Sequence, residues 1–165
     1  MFNTRTLFAA KILLFMALIG TAKSYSSGTA IPDPILKKYI NKYFAKLKKK
    51  TKVPIEITNV TLGDINMDGQ TDAIVDYTVN EGAPGNFTLL YALVIVKNGK
   101  ECHAIQRIDE GSFGDNGYEM QSKKITKGVA LFSIDTYSND DPTCCPSIHR
   151  TRRYRMIDGI LSPID

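Results

Sequence analysis

NFTLLYALVIV, residues 86–96, is too apolar and too rich in aromatic and β-branched side chains for a loop, and it reads as a long central strand. Its sequence neighbours share that character. VPIEITNVTL (53–62) and DAIVDYTVN (72–80) precede it on either side of an acidic loop, and Asn98-Gly99 after it has hairpin composition and leads into KECHAIQRI (100–108). Beyond a Gly- and Asp-rich stretch at 109–117, YEMQSKKI (118–125) and VALFSIDTYS (129–138) join at Lys127-Gly128. SIHRTRRYRMI (147–157) then meets ILSPI (160–164) at Asp158-Gly159. Such short connections imply an antiparallel meander.

Upstream of residue 53 the period is helical. Asp33 followed by Pro34 forms an N-cap with proline at the first helical position, and Ile35, Leu36, Tyr39, Ile40, Tyr43, Phe44 and Leu47 recur at helical spacing. The opposite face carries Lys37, Lys38, Lys42, Lys46, Lys48, Lys49 and Lys50. A basic amphipathic helix of this kind can lie on anionic lipid, but a sheet this apolar needs a cover, and the stripe is read as that cover. The expected fold class is therefore α+β, with one N-terminal amphipathic helix packed on an antiparallel meander sheet of about seven or eight strands. Nothing repeats at a period of about 20–50 residues, which argues against propellers and solenoids.

The first residues, MFNTRTLFAAKILLFMALIGTAKS, place Arg5 and Lys11 before an apolar run from Ile12 to Ile19 and a small-residue site ending at Ala22. This is the pattern of a secretory signal over residues 1–22, because the apolar run is far short of the roughly 20 residues a spanning helix needs. Residues 23–32 read as a flexible leader and 33–165 as a single α+β domain. The expected location is periplasmic or secreted, without a stable membrane anchor. The chain carries a formal charge of +4, which falls to about +2 once Arg5 and Lys11 are removed, too little to imply nucleic acid.

GDINMDGQTD (63–72) sets oxygen-bearing side chains at alternate positions and then turns on a glycine. Asp64, Asn66, Asp68, the Gln70 carbonyl and Asp72 form a candidate calcium set, since hard cations take six to eight oxygens and alternate loop positions can converge on one point. An EF-hand would need a bidentate Glu where Val75 stands. The competing reading is an acidic turn closed by Asp and Asn side chains on backbone N–H groups. Repulsion among three carboxylates favours a cation, weakly held and structural in role. The pattern D-x-N-x-D-G-x-x-D running into a strand resembles the calcium loops of FG-GAP/integrin-type repeats, which implies an ion-binding hairpin but, occurring once, not a propeller.

Cys102, Cys144 and Cys145 are disulfide candidates in a chain expected to reach an oxidising compartment. Three pairings are possible, and the strain of a vicinal ring favours a bridge from Cys102 to one of the adjacent pair. NDDPTCCPS (139–147), together with GDINMDGQTDAIVDY (63–77), resembles small exported bacterial proteins related to the LppP/LprE lipoprotein family. The resemblance implies export but brings no known activity, and the lipobox cysteine of the lipoprotein members is missing. If the cysteine pair is the family feature, the vicinal bond gains ground.

Arg150, Arg152, Arg153 and Arg155 make a basic strand that could hold an anion, although such a stripe is more often a solvated face paired with acids such as Asp135 or Glu119. His103 and His149 sit in no catalytic motif, and no catalytic or organic-cofactor residues are assigned. Asn59-Val-Thr61 and Asn86-Phe-Thr88 match the glycosylation pattern by chance. The functional expectation is a non-catalytic exported binding or interaction module, with a structural calcium-binding hairpin and an unknown protein or envelope ligand. The competing classes are an inhibitor or immunity protein that blocks an enzyme, and a hydrolase or redox enzyme whose residues converge only in three dimensions.

Overall fold

In the computed structural model, residues 30–80, 88–113, 118–142 and 145–164 are described. Residues 1–29, which hold the expected signal and most of the leader, lie outside them, as do Asn86, Phe87 and Cys144. Among the described residues no helix is long and apolar enough to cross a membrane.

Helix α1 runs Pro34–Thr51. The Asp33 carboxylate caps it, accepting from Ile35 N at 2.8 Å and Leu36 N at 3.0 Å, and Lys48, Lys49 and Lys50 fall in the last turn, where the helix dipole favours cations. Lys97 pairs with the same carboxylate, and this neighbour, ahead of the cap bonds, holds Asp33 below the usual carboxylate range. Leu36, Ile40 and Phe44 are buried at four-residue spacing. Each contributes about 1.5–3 kcal/mol of burial.

Eight strands follow: β1 Ile55–Gly63, β2 Asp72–Asn80, β3 Thr88–Asn98, β4 Glu101–Phe113, β5 Tyr118–Thr126, β6 Val129–Thr136, β7 Ile148–Ile157 and β8 Ile160–Pro163. All neighbouring pairs are antiparallel and follow chain order. One junction is nearly severed, because β4 and β5 share a single residue pair, Gly111 with Glu119.

This corrects the expected single meander sheet under one helix. The described residues are mostly β, with one helix and two separate four-stranded antiparallel sheets, β1–β4 and β5–β8. The physical reason lies in β2 and β3. From Asp72 to Tyr77 every residue is buried, as is the run Ala92–Ile95, so these strands need cover on both faces. The helix covers one face, through Ala73, Val75, Tyr77, Leu93 and Ile95. The second sheet covers the other, where Ile74, Ala92 and Val94 meet Met120, Ile125, Phe132, Ile134, Tyr154 and Leu161. In β5 and β6 burial alternates, as expected of a sheet with one wet face.

The sheets approach closely at Gly63, where a Cβ would lie 2.5 Å from Ile125 Cβ. Only a residue without a side chain fits there. Below this point the 64–71 loop inserts Ile65, 1 % exposed, into the inter-sheet core, and Met67 lies against Gly128 in the β5–β6 turn.

Candidate functional site

The acidic loop is closed by its own backbone. Asp64 accepts from Asp68 N at 3.0 Å and Gly69 N at 2.8 Å, and Asp68 accepts from Gln70 N at 2.8 Å and from the Asn66 side-chain amide at 3.0 Å. Met67 and Gly69 take positive φ, 61° and 83°, which lets the chain turn tightly enough to present those N–H groups. The Gln70 side chain bridges outward, its Nε2 donating to Asp68 Oδ2 at 3.3 Å within the loop and its Oε1 accepting from Gly99 N at 2.7 Å in the β3–β4 turn. Asp72 is fully buried and uses both oxygens, Oδ2 on Ile65 N at 2.9 Å and Oδ1 on Lys97 N at 2.8 Å. Burial pushes its carboxyl up, and the two N–H bonds oppose that shift. Asp72 and Gln70 thus tie the loop to β3 and the β3–β4 turn, while Ile65 and Met67 tie it to the second sheet. No group of three or more His, Cys, Asp or Glu side chains is arranged to hold a metal ion among the described residues.

A second acid on the same strand is in a different state. Asp76 is 1 % exposed and lies between the sheets. Its Oδ2 accepts from Asn59 Nδ2 at 2.9 Å, Ser122 Oγ at 2.8 Å and Ser122 N at 3.0 Å, whereas Oδ1 has no partner among the described residues. Asn59 Nδ2 also donates to Ser122 O at 2.8 Å, and the Thr61 and Ser122 hydroxyls are 2.8 Å apart, so β1, β2 and β5 are stitched by one polar network. Burial pushes the Asp76 carboxyl up to about 7, against the Asn59 and Ser122 bonds that favour its ionised form. The 59–61 glycosylation pattern is thereby accounted for, since Asn59 and Thr61 are buried members of this network.

Asp76 lines a cavity of about 160 Å³ together with Thr58, Leu90, Glu119, Met120, Gln121, Ser133 and Asp135. Glu119 and Asp135 are cross-strand partners at its rim. Burial raises the Glu119 carboxyl and the Asp135 charge raises it further, against a hydrogen bond with Tyr137. Outside the rim, His149 Nδ1 lies 2.8 Å from Asp135 Oδ1, with the imidazole 69 % exposed. Sequence spacing gave no hint that these strands would converge. One local signal was available in Asp76 itself, a carboxylate within the apolar run AIVDYTV and on the same strand face as Ile74.

The other candidates do not join this site. Cys102 is a buried free thiol in the helix-side core, so the favoured bridge from Cys102 to the adjacent pair is not formed. The reason is placement: Cys102 opens β4 opposite Lys97, beneath the helix. Cys145 has a partner of its own, and Cys144 lies outside the described residues. Arg150, Arg152, Arg153 and Arg155 are exposed along β7, opposite Ile134, Phe132, Leu131 and Val129 on β6. The acids expected beside them are otherwise engaged, Asp135 with His149 and Glu119 with Tyr137. His103 is exposed near Glu101, at 3.5 Å.

The chain matches no protein-family model, no curated protein and no solved structure.

Proposed function

We propose that this chain is an exported, non-catalytic binding module that admits a small polar group into the pocket between its two sheets. The observation that carries this reading is the Asp76 carboxylate, buried and hydrogen-bonded on one oxygen only, in the wall of a cavity. A buried polar atom without a partner costs about 1–3 kcal/mol, and a ligand or ordered water that reached it would recover part of that cost. Export rests on the signal pattern of residues 1–22 and on the resemblance carried by the CCPS segment.

In this reading the 63–72 loop is a brace and not the binding site. Calcium held by Asp64, Asn66, Asp68 and the Gln70 carbonyl would tighten the brace, and the alternate-position oxygens support that proposal. The test of the binding function is an amide-resonance titration of the mature chain with three four-carbon probes, n-butylammonium, n-butanol and butyrate. Saturable shifts at Gln121, Ser122 and Ser133 with any one of them support the reading. Absence of saturable shifts with all three overturns it.

A hydrolase reading is favoured by one observation, the His149–Asp135 contact at the rim. It requires turnover of an activated ester that His149→Ala abolishes. Turnover indistinguishable from buffer removes it.

A further inference from the structure

We infer that the inter-sheet pocket is a site for an alkylammonium group, a proposal that rests on the binding function above and names its ligand class. Three carboxyl groups, Asp76 on the wall and Glu119 and Asp135 at the rim, contribute to one cavity, and Gln121, Ser133 and Thr58 add neutral polar groups. An anion brought there would meet like charge on every ionised carboxylate. A cation would instead supply N–H donors, and Asp76 Oδ1 is the buried acceptor that lacks one.

The walls distinguish an organic ammonium from a bare metal ion. Leu90 and Met120 give the cavity an apolar side, which suits methylenes and offers a hard cation nothing. Metal coordination also lacks its ligand set, because no three His, Cys, Asp or Glu side chains are grouped to hold an ion among the described residues. The volume fits the same ligand. About 160 Å³ is roughly five times the ~30 Å³ share of one water, enough for an ammonium on a short alkyl stem.

The charged groups around the pocket are consistent with this polarity. Lys123, whose Nζ donates to the Gln121 side chain, favours the ionised form of Asp76 from a distance, and His149 engages Asp135 from outside. Neither is bonded to Oδ1 of Asp76. An entering ammonium would form a charge-assisted bond there, of the kind roughly twice as strong as a neutral one. It would also draw the Asp76 proton off, because an opposite charge within contact distance favours the carboxylate.

The ammonium has two sources, a free alkylamine or the lysine side chain of a polypeptide, and one titration separates them. n-Butylammonium and Nα-acetyl-lysine-N-methylamide are added separately to the mature chain while the Gln121, Ser122 and Ser133 amides are followed. Both probes are expected to saturate, with n-butanol at least tenfold weaker. A tenfold preference for the lysine amide assigns the site to a polypeptide, and equal affinity assigns it to a free amine.

Asp76→Asn is expected to weaken n-butylammonium at least tenfold. Because Asp76 also anchors the buried network, Glu119→Gln and Asp135→Asn at the rim serve as second variants, each expected to weaken binding about threefold in a chain with unchanged amide dispersion. If n-butanol or butyrate binds as tightly as the ammonium, or if all three variants bind it like wild type, the ammonium assignment is overturned and the binding pocket stands. If no probe binds, both fall.

Discussion

Asp72 and Asp76 stand four residues apart on β2, share a strand face and are both almost wholly buried, yet the chain treats them in opposite ways. Asp72 has each oxygen on a backbone N–H, one from its own loop and one from β3. Asp76 crowds three bonds onto one oxygen and leaves the other empty-handed. A fully bonded buried acid is a structural tie, whereas one with an idle oxygen, on a residue that lines a cavity, retains capacity for something outside the chain. The contrast assigns bracing to the first and binding to the second.

Removing the tie should have the largest effect. Asp72→Ala orphans Ile65 N and Lys97 N in the interior, at about 1–3 kcal/mol each, so urea unfolding should show a loss of roughly 4 kcal/mol. A loss under about 1 kcal/mol would remove the brace from the account of this loop.

The second experiment separates the two acids by pH. Burial raises the folded Asp76 carboxyl from 3.8 to about 7, so between those values the folded chain keeps a proton that the unfolded chain has released. Its contribution to stability is complete below the unfolded pKa and is lost as pH rises through about 7. Wild type should therefore weaken by roughly 3 kcal/mol from pH 4 to 7 relative to Asp76→Asn, in which this titration is absent. Parallel stability curves for the two proteins would break the contrast.

How much of this the sequence disclosed depends on the range of the interaction. The helix was legible from Asp33, Pro34 and the Leu36–Ile40–Phe44 spacing, and the strand segments from their composition and turns, because those signals lie within a few residues of one another. The layering was not legible in the same way, because counting strands does not say where a meander folds back. AIVDY and ALVI carried the clue: apolar on both faces, they require two covers and the helix is only one. The candidate site was hidden for a similar reason. Asp76 meets Ser122 forty-six positions away, and Asn59 meets it across sixty-three, which no spacing motif reports. The conspicuous loop drew attention because its oxygens are neighbours in sequence; the structure shows most of them bonded to neighbouring backbone.

A third, smaller effect tests the layering directly. Gly63→Ala sets a methyl against Ile125 where the sheets nearly touch, and overpacking of this kind costs about 1–3 kcal/mol. A neutral substitution would mean that the sheets part easily. The smallest effect belongs to calcium. With millimolar ion and a dissociation constant several times lower, the mature chain should gain about 1 kcal/mol over a chelator control in thermal melting. An unchanged midpoint would leave the loop braced by hydrogen bonds alone and remove calcium from it.

Among the described residues Asp76, and not the loop, holds the buried carboxylate with an unbonded oxygen. Carboxyl-carbon resonance titration of the mature chain measures this most directly. The expected result is an Asp76 midpoint at about 7, displaced downward when n-butylammonium is present. A midpoint in the ordinary range near about 4, unmoved by the amine, would contradict it.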